Sequence, residues 1–455
     1  MRKLISKPLI AVTLAGVTIC LVIIAASFRH NHIQQADQAY LTLLHEAYAA
    51  INKYYVESPD SPKLVISMVD GMLASLDPHS AYLPPEPYKE MEVQLSGAFG
   101  GIGLELGMKE GRLVVVAPID DTPAFRAGIQ PNDHIWKIDG ALTRSMGIAV
   151  AVKRMRGEKG TPVTLSIVRG DNPQPFEFKL IRDIIKIKSI KSKTLEPGYS
   201  LIRIAQFQEQ TGSEFRQALK DAKSAAGGQI KGLVIDLRYN PGGLLLSAIE
   251  VANCFIGDDL SSTLIVSTRG KSKDSNREFH ATVGDKELRY PVVVLINGGS
   301  ASASEIVAGA LQDHKRAIVM GKQSFGKGSV QTIFSLPGNA ALKLTTARYY
   351  TPRGRSIQAK GITPDIEVGT VMPVKSTISK EMGIKEKDLE NRLSSGEGEE
   401  QSKPTSLSTS PHAVGAGADL LKDNQLNRAL ELLKSLTMVR EQGFARNSKI
   451  AAGEK

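Results

Sequence analysis

Val292-Val293-Val294-Leu295-Ile296-Asn297-Gly298-Gly299-Ser300-Ala301-Ser302-Ala303-Ser304-Glu305 decides how this chain is read. The first five residues are apolar and mostly β-branched, and they are bounded by Pro291 and by Asn297-Gly298-Gly299. That pattern predicts a fully buried strand ending in a tight turn. Beyond Glu305, Ile306-Val307-Ala308-Gly309-Ala310-Leu311 has the small and apolar residues of a closely packed helix. A strand feeding a helix N-terminus sets unsatisfied backbone N–H groups and the positive dipole end beside the serines. Such a place can hold a developing oxyanion.

A serine hydroxyl attacks poorly until a neighbouring base removes its proton. Lys327, flanked by Gly326 and Gly328, is the candidate base, 25 residues after Ser302 (327 − 302). Lysine serves in that role when burial brings its pKa down towards neutrality. Gln331, four residues on, is placed to orient the amine. The plainer reading makes Ser300, Ser302 and Ser304 turn and capping residues. A rival reading takes Gly321-Lys322-Gln323-Ser324-Phe325-Gly326-Lys327 as a phosphate-cradling loop. That loop needs Ser or Thr after the lysine and then a helix. Gly328 stands there instead, and Ser329-Val330-Gln331-Thr332-Ile333-Phe334 reads as a strand.

Ser-Ala-Ser-Ala-Ser-Glu followed by Gly-Lys-Gly-Ser-Val-Gln resembles the carboxyl-terminal processing (tail-specific) proteases. The resemblance implies Ser302 as nucleophile, Lys327 as general base and Gln331 as its support. It also implies an α/β chain: a ClpP/crotonase-like protease core at 184–374, a PDZ domain inserted before it, and a helical N-terminal region.

Outward from this stretch, Gly232-Leu233-Val234-Ile235-Asp236-Leu237-Arg238 is a second strand, ending at Tyr239-Asn240-Pro241-Gly242-Gly243. Glycines after a strand let backbone amides point into a site, so Gly242 or Gly243 is a candidate oxyanion donor, with Ala303 as the other. The same run resembles the family's segment facing the catalytic serine. Tyr199–Ile204 reads as a further strand and Ser213–Ala225 as a helix.

Residues 97–183 read as short strands with one helix near Ser145–Met155, a succession that resembles a PDZ domain. Gly101-Ile102-Gly103-Leu104 aligns with its carboxylate-binding loop, whose successive amides capture a C-terminal carboxylate while an edge strand pairs with the tail. A dinucleotide fingerprint fails here because Leu106 occupies the third glycine position. Residues 34–95 show helical spacing, with Leu41, Leu44, Tyr48 and Ile51, then Leu64, Met68 and Met72. Leu76-Asp77-Pro78-His79-Ser80 breaks that pattern, and His79 reads as a hydrogen-bonded turn residue with a structural role.

The chain carries 57 Lys+Arg against 47 Asp+Glu, a net charge of +10. No basic stripe interleaved with aromatics argues for nucleic acid. Two cysteines, Cys20 and Cys254, lie too far apart in role to pair. Arg2, Lys3 and Lys7 precede Leu9–Ser27, 19 residues without charge. Residues 1–28 are therefore expected to be a membrane anchor or signal, with the body outside the cytoplasm. Residues 391–418 are expected to be a disordered linker, and 419–440 an amphipathic helix that folds back on the core or mediates self-association.

These readings make the chain an extracytoplasmic serine endopeptidase that recognises flexible C-terminal tails and needs no cofactor or metal. The competing readings are a membrane-tethered PDZ binding protein with an inactive core, and a Ser–His enzyme using His280 or His314.

Overall fold

The computed structural model describes residues 38–170, 174–257, 263–284, 286–369, 385–389, 391–393 and 423–451. The apolar run at 9–27, with Cys20, and nearly all of the expected linker lie outside the described residues. Two compact units divide the chain, Met1–Met72 and Leu73–Lys455. The first holds a helix over 38–54 and most of the Ser61–Ala74 helix. Among the described residues, no helix is long and apolar enough to cross a membrane.

The second unit is built on a six-stranded sheet in the order Ile190–Glu196, Tyr199–Ile204, Gly232–Asp236, Val292–Ile296, Ile318–Gly321, Ile366–Glu367. The first pair is antiparallel and every later pair parallel. Side chains alternate between the faces with the period of two that a strand imposes. Leu233, Ile235, Val292, Val294, Ile296 and Val319 pack on one side against the Thr211–Ala225, Leu245–Asn253 and Ala303–Asp313 helices. Val234, Val293, Leu295 and Met320 face the other way and meet Leu426, Ala429 and Leu433. Those three belong to the C-terminal helix, Asn424–Ala451. Both faces are covered, which is why Val292–Ile296 is an unbroken apolar run. The helix expected at 419–440 thus begins at Asn424, and its apolar stripe folds back on the sheet.

A second sheet stands beside this core, with Leu264–Gly270 and Ala340–Tyr350 antiparallel and the Ser329–Leu336 strand paired to Ala340–Tyr350. The turn after the Ser61–Ala74 helix leads to Ala81–Leu83, which adds to the free side of Ala340–Tyr350. Asp77–Ser80 is thereby carried to the strand that flanks the Lys327 loop.

The PDZ segment forms a separate sheet, ordered Leu104–Lys109, Arg112–Pro118, His134–Ile138, Pro162–Val168, Phe176–Ile181, around its own core of Leu113, Ile135, Leu165 and Ile167. Its helix is Ile148–Met155.

Candidate active site

Two neighbouring parallel strands, Gly232–Asp236 and Val292–Ile296, end at the same edge of the sheet. Loops leaving the carboxyl ends of adjacent strands must meet there. Tyr239 N–H donates to Asn297 Oδ1 (2.9 Å), Ala301 N–H to Asn240 O (3.0 Å), and Ser304 Oγ–H to the same carbonyl (2.9 Å). Ser300 Oγ–H closes the contact on Leu237 O (2.8 Å). Ser300 and Ser304, two of the three serines, therefore do have the turn-binding role that the plainer reading gave all of them.

Ser302 stands apart. It is the residue before the Ala303–Asp313 helix and has φ 54° and ψ −114°. A positive φ in a residue with a Cβ costs on the order of 1–3 kcal/mol and persists only where surrounding contacts enforce it. Here Ser302 N–H donates to Glu305 Oε2 (2.8 Å). Gly242 lies against the turn so closely that a Cβ on it would sit 2.8 Å from Ala301 O and 2.9 Å from Ser302 Cβ. Only glycine fits at that position. Gly242 N–H donates to Asn240 Oδ1 (2.9 Å), so that donor is occupied. The amides of Gly243 and Ala303 have no acceptor among the described residues.

Glu305 is the residue that sequence reasoning missed as a site component. Its side chain is wholly buried. The carboxylate accepts from Ser302 N–H, from Gly326 N–H (2.8 Å), from Lys327 N–H (2.9 Å) and from Ser324 Oγ–H (2.5 Å). One buried anion therefore holds both the serine turn and the lysine loop. Burial pushes its pKa up to about 7, while the bonds from Ser324, Ser302, Gly326 and Lys327 favour the charged form. A desolvated carboxylate loses several kcal/mol, and each charge-assisted hydrogen bond returns about 1.5–3. Burial outweighs the four bonds, so the carboxyl group ionises less readily than in water. The signal in the sequence was Glu305 at the third helical position, where its carboxylate reaches back to the N-cap amide.

Lys327 is half-buried. Burial pushes its amine below the usual lysine range and nearby Lys343 acts in the same direction, while Glu386, Asp77 and Glu305 pull it back up. The hydrogen bonds of the described residues include none between Lys327 Nζ and Ser302 Oγ. Gln331 likewise makes no hydrogen bond to that amine among the described residues. Its Nε2 donates to Ser329 Oγ (2.8 Å) and Thr345 Oγ1 (3.4 Å). The two rival histidines are placed elsewhere: His314 Nε2 meets Leu264 O (2.7 Å) and His280 Nε2 meets Glu278 Oε2 (3.2 Å). Burial pushes the Cys254 thiol up to about 11. After Gly328 the chain enters the Ser329–Leu336 strand, so the helix that a phosphate loop requires does not follow.

In the PDZ segment, Gly103 has φ 80°, and a Cβ there would lie 2.3 Å from Thr122 Cβ. The Ile102 and Gly103 amides have no acceptor among the described residues, and the Ile102 side chain turns into the core. Leu104–Lys109 is an edge strand of its sheet. A groove of about 260 Å³ runs beside it, lined by Gly101, Leu104, Leu106, Val152, Met155 and Arg156 among others. Leu104, Leu106, Val152 and Met155 make an apolar slot, and the open strand edge supplies unpaired backbone groups along it.

Comparison with known proteins fits this arrangement. Residues 198–368 match the model of peptidase family S41, and residues 100–180 match a PDZ domain. A carboxy-terminal-processing protease from Bartonella bacilliformis is 44% identical over 91% of this chain and 92% of its own length. The chain belongs to peptidase family S41. A probable CtpA-like serine protease of Staphylococcus epidermidis is 36% identical, covering 76% of this chain and 69% of that protein. The solved photosystem II D1 C-terminal processing protease shares 27% identity, with a TM-score of 0.41 over 72% of this chain and 92% of the other. The S41 match stops at residue 368, short of the 385–389 segment and the C-terminal helix that pack on the same core.

Proposed function

We propose that this S41 chain is an endopeptidase that takes hold of loose C-terminal tails and cuts peptide bonds with a Ser302–Lys327 dyad. The observation that carries the reading is Glu305, whose one carboxylate accepts from the backbone N–H groups of both residues. A tail enters the groove beside Gly101–Leu104, its carboxylate on the free amides of Ile102 and Gly103 and its backbone along the Leu104–Lys109 edge. Lys327, made less basic by burial, is the base that takes the Ser302 proton as Oγ attacks the scissile carbonyl. For this step the amine closes on the hydroxyl when substrate fills the site, as catalytic hydrogen bonds commonly tighten in the bound state. Gly243 and Ala303 amides receive the oxyanion. The lysine then returns the proton to the leaving amine, and water releases the acyl group from Ser302. Gln331, four residues on, supports the lysine on this reading.

We place the body outside the cytoplasm, tethered or exported through residues 9–27, because an uncharged stretch of 19 residues follows three cations there. Its partners on this reading are unfolded or flexible proteins with free tails.

The test incubates the purified protein and its Ser302→Ala and Lys327→Ala variants with an unfolded protein bearing a free apolar C-terminus, and follows cleavage by mass spectrometry. Cleavage by the parent alone, with all three folded, is expected. Equal cleavage by all three sinks the dyad. Tail binding without cleavage in the parent would favour the binding-module reading.

A further inference from the structure

The Lys327 loop is held from two sides. Glu305 takes the Gly326 and Lys327 amides, and the next amide, Gly328 N–H, donates to Gln358 Oε1 (3.0 Å). Gln358 Nε2 in turn donates to Glu386 Oε1 (2.8 Å). Glu386 is fully buried, and His79 Nε2 sits 2.8 Å from both of its carboxylate oxygens. The backbone joins in, since Glu386 N–H donates to Phe325 O (3.2 Å), two residues before the lysine. His79 itself is fixed by its N–H to Asp77 Oδ1 (2.8 Å), a carboxylate that also accepts from Ser80 Oγ and Thr345 Oγ1. Two segments outside the S41 match, Asp77–Ser80 and Lys385–Leu389, thus converge on the loop of the candidate base.

A buried carboxylate is costly and needs a local reason. Fold stability alone would be served as well by an apolar side chain at 386. Charge at this place acts on Lys327, whose surroundings consist of Lys343, which disfavours its ammonium, and Glu386, Asp77 and Glu305, which favour it. We propose that Glu386, held by His79 and Gln358, is a positioning residue for Lys327: it fixes the loop that carries the base and supplies part of the negative charge the amine faces. The inference rests on the Ser302–Lys327 reading above. His79, taken from sequence as merely structural, becomes the donor that tempers this charge.

The groups facing one another here are Lys327, Lys343, Glu305, Asp77, His79 and Glu386, with Lys385 and Asp388 on the short segment itself. Removing the Glu386 charge makes Lys327 easier to deprotonate, so the acid limb of kcat/KM moves to lower pH. Removing the His79 donor leaves the Glu386 charge less compensated and moves the limb to higher pH. A residue that only stabilises the fold would not shift the two in opposite directions.

The experiment compares full-length protein with its Glu386→Gln and His79→Phe variants, recording kcat and KM on a tail-bearing unfolded substrate across pH. In parallel, the pH dependence of Lys327 acylation by an amine reagent is read by peptide mass spectrometry in a Ser302→Ala background. We expect a limb displaced by about half a pH unit or more in each variant, downward for Glu386→Gln and upward for His79→Phe. A drop of about tenfold in kcat with KM nearly unchanged should accompany it. Parental limbs and parental acylation profiles in both variants overturn the proposal. If Glu386→Gln does not fold, His79→Phe decides alone: an upward shift supports the proposal and an unmoved profile overturns it. Lys327→Ala separates the two levels of the argument. Retained cleavage there removes the dyad itself, whereas a dead Lys327→Ala with unshifted Glu386→Gln and His79→Phe removes only the positioning role.

Discussion

The serine–lysine site and the PDZ groove are both candidate binding places on one chain, and they are built by opposite means. At Ser302 the backbone is strained and closely surrounded, and buried polar side chains from distant parts of the chain hold it in place. Glu305, Gln358 and Asn240 each bind loop amides there. In the groove beside Leu104 the work falls to apolar side chains, one forced glycine at 103 and an unpaired strand edge. The first site is held by a network of buried polar side chains that bind loop amides, while those of Gly243 and Ala303 have no acceptor among the described residues. The second, on the function proposed above, needs only backbone pairing along its open edge and an apolar slot.

This contrast can be broken at several points. Ser302→Ala or Lys327→Ala should lower kcat by about 10³-fold or more while leaving tail-peptide affinity, measured by calorimetry, unchanged. Loss of binding in these variants would mean that the two sites are not separable.

Glu305→Gln cannot accept all four of the donors that Glu305 now serves. A fall of about 10²-fold in kcat with KM preserved is expected, measured on the same substrate. Its linkage has a definite sign. Because the folded-state pKa is raised to about 7, Glu305 contributes stability that is present below the unfolded-state value of 4.5 and lost as pH rises through about 7. The urea midpoint of the parent should therefore decline over that window, and Glu305→Gln should flatten the decline.

Gly103→Ala attacks the other side of the comparison. A Cβ there meets Thr122 at 2.3 Å with φ at 80°, so the loop must shift. Tail-dependent KM should rise about tenfold, while kcat on a short peptide lacking a recognisable tail stays at the parental level. A change in short-peptide kcat would show that the groove and the dyad are mechanically coupled.

Leu433→Ala should affect chemistry least. It empties a fully buried position between the C-terminal helix and the Val234, Val293 and Leu295 face. A loss of about 2–5 kcal/mol in unfolding free energy is expected from denaturant titration. Cleavage by the protein that remains folded should be unchanged.

Much of this was legible before any coordinates. The apolar run at Val292–Ile296, its glycine-bounded end and the small-residue helix after it are local patterns, and each formed where expected. The helix near Ser213–Ala225 and the one near Ser145–Met155 were also placed to within a few residues, at Thr211–Ala225 and Ile148–Met155. What failed to show was any partner that arrives from elsewhere in the chain. Gln331 is a candidate to orient the amine both from its place four residues after Lys327 and from the family resemblance. The Gln331 amide donates instead to Ser329, two residues back on the same face of its own strand, and more loosely to Thr345 on the neighbouring strand.

The sequence by itself determined the α/β layering, the serine at the head of a helix, the glycine-flanked lysine and the PDZ-like loop. Each of those is a statement about residues within one turn, strand or motif, where propensity and periodicity act. Only the tertiary structure decided which groups surround the candidate base. Glu386 meets His79 across 307 residues, and Arg238, just before the Tyr239–Gly243 loop, meets Asp423 across 185. Such contacts depend on how strands order in a sheet and where a late segment folds back. No local spacing encodes them, because the energy that forms them is gained only once the whole core has closed.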